Sequence, residues 1–80
     1  MDRKSARYIA SRFGSSTSWV YETWQKMGLV MKDKFGDWVL TELGREKGGR
    51  MSKSSYLPVP TFEFKEIRKL MIDFLDKTKK

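Results

Sequence analysis

The stretch ARYIASRFGSSTSWVYETWQKMG, residues 6–28, decides the fold. Its first apolar set is Ala6, Ile9, Ala10 and Phe13, the i, i+3, i+4, i+7 spacing of one helical face, and Gly14 ends it. Val20, Trp24 and Met27 repeat the helical spacing, and Gly28 stops that run. Ser16 stands where an N-cap belongs, its hydroxyl within reach of the amide near Trp19. Only Gly14 to Ser16 separate the two runs. Two short helices joined by so brief a glycine-containing turn make a helix–turn–helix pattern.

Downstream, in LVMKDKFGDWVLTELGREKGG (residues 29–49), the period changes. Leu29 to Asp33 and Asp37 to Thr41 are rich in strand formers and flank Lys34-Phe35-Gly36. This predicts a hairpin with Phe35-Gly36 as a two-residue turn, closed by Lys34 opposite Asp37. Thr41 reads as the N-cap of a short helix, Glu42 to Lys47, terminated by Gly48-Gly49. Residues 50–61, with serines, charges and two prolines, read as a linker with an extended end. Within residues 62–80, Ile67, Leu70, Met71, Phe74 and Leu75 line one face of a helix from about Glu63 to Lys77. Thr61 or a neighbour would cap it, and Lys77, Lys79 and Lys80 suit its C-terminal end. The expected fold class is therefore mainly α with a small β-hairpin.

Eighty residues make one small domain, and 39% apolar content is enough for a modest core. Lys and Arg total 17 against 10 Asp and Glu, a net charge of +7, which favours an anionic partner. Without Cys or His, thiol and imidazole catalysis, disulfides and the usual zinc sites are excluded. The carboxylates are scattered, and no glycine-rich phosphate loop is present. The chain is not expected to be an enzyme, and neither a metal nor a cofactor is expected. No apolar run approaches a membrane span, and the first 30 residues hold no signal-peptide core. The expected location is cytoplasmic and nucleoid-associated.

The order helix, turn, helix, hairpin, short helix is that of a winged helix-turn-helix, here followed by a C-terminal amphipathic helix. Ser5 to Gly49 resembles the small winged helix-turn-helix modules of phage antirepressor-type proteins. The matching residues are Ile9-Ala10, Gly14-Ser15-Ser16, Lys26-Met27-Gly28-Leu29, and Gly36-Asp37-Trp38-Val39-Leu40-Thr41-Glu42-Leu43-Gly44. They span a little over half the chain. The resemblance implies a double-stranded DNA-binding role in a phage or mobile-element setting.

The residues point the same way independently. With Val20, Trp24 and Met27 turned inward, the other face of the second helix carries Ser18, Glu22, Gln25 and Lys26, with Tyr21 at its edge. Thr17 and Ser18 occupy the first turn, where a recognition helix meets bases or phosphates. Gln25 is the sole Gln and Asn is absent, so bidentate amide reading of adenine falls to Gln25. Glu22 is placed to accept from cytosine. Ser16, Lys26 and the row Lys4, Tyr8, Arg12 on the first helix suit the phosphate backbone, as do Lys32 and Lys34 at the hairpin tip. Trp19 is expected to pack on the hairpin or the C-terminal helix, and Trp24 and Trp38 in the core. The last helix is expected to pair with a second copy, forming a homodimer over a palindrome, with folding back onto its own chain as the alternative. A host or phage protein is the alternative partner. A membrane surface is a lesser one, reached by the same amphipathic helix.

Overall fold

The computed structural model describes residues 3–52 and 58–78. The helix–turn–helix is present: α1 spans Ala6–Phe13 and α2 spans Thr17–Lys26. Ser16 caps α2, its Oγ accepting from the Trp19 amide at 3.1 Å, and the Ser15 amide closes the turn on the Ala10 carbonyl at 2.9 Å. A hairpin of β2 (Val30–Lys32) and β3 (Trp38–Leu40) follows, then α3 (Glu42–Glu46). Thr41 caps α3 by accepting from the Gly44 amide at 3.0 Å, as its position predicts.

The class is α+β rather than mainly α: helix makes up 53% and strand 21% of the described residues, with two antiparallel sheets among them. The difference comes from a three-stranded sheet ordered β1-β5-β4, formed by Arg3–Ser5 (β1), Arg50–Met51 (β4) and Pro60–Glu63 (β5). In register, Arg3, Lys4 and Ser5 face Glu63, Phe62 and Thr61, while Arg50 and Met51 face Thr61 and Pro60. Within the stretch read as a linker with an extended end, residues 50–51 are strand β4 and the extended end, residues 60–61, belongs to β5. Residues 53–57 lie outside the described residues. Pro60 is tolerated because it stands first in the central strand, where a missing N–H removes least from the ladder. Thr61 does not cap the last helix; it sits in β5 and donates through Oγ1 to the Arg50 carbonyl at 2.8 Å.

The final helix, α4, spans Phe64–Thr78. Two members of its apolar stripe, Ile67 and Met71, are wholly buried in the core of the same chain. The helix therefore folds back, tethered by β5 directly before it. Leu70, Phe74 and Leu75 are half-buried. The core is built where the layers meet: Ala6, Ile9 and Ala10 from α1, Val20 and Trp24 from α2, Val30 and Leu40 from the hairpin, Phe62 from β5. Trp24 is its centre. It touches Phe62 ring to ring at 4.8 Å and donates through Nε1 to the Met71 sulfur at 3.3 Å.

Candidate nucleic-acid interface

The α2 helix buries Val20, Thr23 and Trp24 and leaves Ser18, Glu22 and Gln25 exposed as one row, with Lys26 exposed beside it. Thr23, buried near the middle of the helix, satisfies its hydroxyl on the Trp19 carbonyl at 2.8 Å. Thr17 is half-buried at the first helical position. The oxygen of the exposed Ser16 is engaged in the cap. Trp19 is half-buried against the core, and its ring lies 5.9 Å from Phe13, holding α2 against the end of α1.

Tyr21 differs from its expected role at the edge of the reading face. Its ring lies parallel to Trp38 at 5.0 Å, 4° between planes, and edge-on to Trp24 at 5.9 Å. Burial pushes its phenol above the usual tyrosine value, because the phenolate loses hydration there. Trp38 is half-buried rather than a core residue, and Lys32 places its Nζ 5.1 Å from the Trp38 ring centroid. A ladder of Lys32, Trp38, Tyr21 and Trp24 therefore fixes the hairpin to α2. The period-2 alternation that puts Trp38 on the same side as the buried Leu40 was the available signal for it.

The hairpin turn is one residue longer than expected. Asp33 and Asp37 close it, the Asp33 amide donating to the Asp37 carbonyl at 2.9 Å, with Lys34-Phe35-Gly36 as the loop. Gly36, at φ +83°, takes the left-handed position that such three-residue loops require. Asp33 Oδ1 accepts from the amides of Phe35 (2.9 Å) and Asp37 (3.0 Å), an arrangement that Asp ahead of a glycine-containing loop signals in sequence. Lys32 and Lys34 are exposed, and Lys34 Nζ lies 5.3 Å from the Phe35 ring centroid.

Lys4, Tyr8 and Arg12 come together, though Lys4 belongs to β1 and is half-buried. Its Nζ lies 4.5 Å from the Tyr8 ring centroid and the Arg12 guanidinium carbon 6.0 Å from it, while Phe64 meets the same ring edge-on at 5.8 Å. Tyr8 thus seats two cations at the surface of α1. No helix of the described residues is long and apolar enough to cross a membrane. Compared with protein-family models, curated proteins and solved structures, the chain matches none.

Proposed function

We propose that this chain is a sequence-specific double-stranded DNA-binding protein, a small regulator of phage or mobile-element type that acts by binding and not by catalysis. In this reading α2 enters the major groove and the hairpin flanks it over the backbone. The observation that carries it is the α2 helix itself: capped, locked from behind by Trp24, and presenting Ser18, Glu22 and Gln25 in an exposed polar row. Gln25 pairs bidentately with adenine, Glu22 accepts from cytosine, and Ser18 serves either base or phosphate. Lys4, Tyr8, Arg12, Lys26, Lys32 and Lys34 hold the backbone and set register.

A salt series on duplex DNA tests the proposal. The logarithm of affinity should fall with the logarithm of salt, by roughly 0.9 for each phosphate neutralised. Specific binding, recovered from random duplexes, should survive competitor DNA. Gln25→Ala should shift preference at one base position by about 1–3 kcal/mol. Duplex binding no stronger than that of a neutral control protein overturns the reading. A second reading, an adaptor or inhibitor of a host protein, is favoured by Met31, which is 49% exposed on the outer side of the hairpin. It predicts no salt-dependent duplex binding, so the same titration separates the two.

A further inference from the structure

Phe35 is the most exposed large apolar side chain among the described residues, with 77% of its surface free. The turn beneath it is fixed, not loose: the Asp33 carboxylate takes two amides, and the Gly36 amide donates to the Asp33 carbonyl at 3.0 Å. The stalk is fixed as well, through Trp38 stacked on Tyr21 of α2. The backbone that carries Phe35 is thus held at a set position relative to α2, with the ring out in water and without the stabilisation that burial would give. Lys32 and Lys34 serve phosphates in the DNA reading, but Asp33 and Asp37 balance their charge. What the tip adds to them is the ring, with Lys34 Nζ 5.3 Å from its centroid.

We propose that Phe35 is a wedge that enters a base step of duplex DNA from the minor groove beside the major groove held by α2, unstacking the step and bending the duplex. This rests on the reading of α2 as the DNA-facing helix. An apolar side chain driven between base pairs from the minor groove opens the step on that side and kinks the duplex towards the major groove, and pyrimidine–purine steps yield most easily. Phe35 would therefore add a preference for such steps without a hydrogen bond to any base.

Ligase-driven ring closure of linear duplexes of about 120 bp, shorter than the persistence length of about 150 bp, measures bending without knowledge of the target site. The full chain should raise the closure rate by about tenfold, the order expected when a sharp bend relieves elastic cost. Phe35→Ala, compared at equal occupancy by gel retardation, should return the rate to that of bare DNA, and Phe35→Trp should keep it high. The exposure of Phe35 keeps the fold out of this comparison. Retardation without any Phe35-dependent closure overturns the wedge and leaves the DNA reading standing. Absence of retardation overturns both. Partition into phosphatidylglycerol vesicles that needs Phe35, with no effect on ring closure, also overturns the wedge and assigns the ring to a membrane surface.

Discussion

Residues 3–32 and residues 33–78 carry charge in opposite styles. The first, comprising β1, α1, α2 and β2, holds six cations against one acid, Glu22, a net of +5. The second, comprising the hairpin's return strand, α3, β4, β5 and α4, holds nine cations against eight acids. Most of the chain's +7 is therefore placed around the helix–turn–helix. In the second region Glu46, Glu63, Glu66 and Asp73 line an open depression of about 480 Å³ together with Arg3, Lys47 and Lys69. A field that attracts phosphate arises where cations lack acidic neighbours, so the two regions differ in what they can bind although both are rich in lysine and arginine.

The two regions share one core, and the harshest test removes what joins them. Trp24 reaches from α2 to Phe62 and Met71. Trp24→Ala should cost about 3–5 kcal/mol, a large part of the roughly 5–15 kcal/mol that holds a small domain. In urea, followed by circular dichroism, the cooperative transition should be largely lost. An unchanged midpoint would mean that the regions fold independently. A smaller loss is expected at Gly44 in α3, where an added Cβ would collide with the carbonyl oxygen of Leu29 and lie 3.1 Å from Leu40 Cδ2. Gly44→Ala should lower the urea midpoint by an amount equivalent to about 1–3 kcal/mol.

Matched charge removals address the contrast itself. Arg12→Ala with Lys26→Ala takes two exposed cations from the basic region; Lys65→Ala with Lys69→Ala takes two from the balanced one. All four are surface changes, so each should leave stability within about 0.5 kcal/mol. The first pair should weaken duplex binding about tenfold and reduce the salt slope by close to two phosphate contacts. The second pair should leave both as they were. Equal losses from the two pairs would show that total charge governs binding and that its placement does not.

What sequence revealed, and what it hid, divides along the reach of each interaction. Ser16 and Thr41 were legible as caps because a cap is a contact three residues long. Ser18, Glu22 and Gln25 were legible because burying Val20 and Trp24 leaves their side of α2 to solvent. Strands β1, β4 and β5 were not, being two to four residues long and paired across gaps as wide as Arg3 to Glu63. β2 and β3 are equally short but are joined by a local turn signal, which β1, β4 and β5 lack. Gly49 read as half of a helix stop; in the structure an added Cβ there would meet Leu40, Gly44 and Phe62 at 2.7–2.8 Å, a constraint imposed by remote residues. The pairing of Tyr21 with Trp38 was hidden for the same reason, since it joins a helix to a strand.

That pairing also crosses the boundary between the two regions, and its seating can be read from alkaline titration, the mildest of these perturbations. Tyr21 lies between Trp38 and Trp24, and burial holds its phenol above the ordinary value of about 10. In the unfolded chain the phenol ionises at that ordinary value, while in the folded chain it keeps its proton to higher pH. Over that interval the unfolded state binds fewer protons, so rising pH favours unfolding. The contribution is complete below pH about 10 and is lost as pH climbs through the folded value. Water still reaches the half-buried ring, which keeps the effect small. Tyr21→Phe preserves the stack and removes the proton. Urea midpoints measured from neutral pH into the alkaline range should therefore fall more steeply for the wild-type chain than for the variant. Parallel curves would show that the phenol keeps its hydration in the folded chain, so that the stack on Trp38 leaves the hydroxyl open to water.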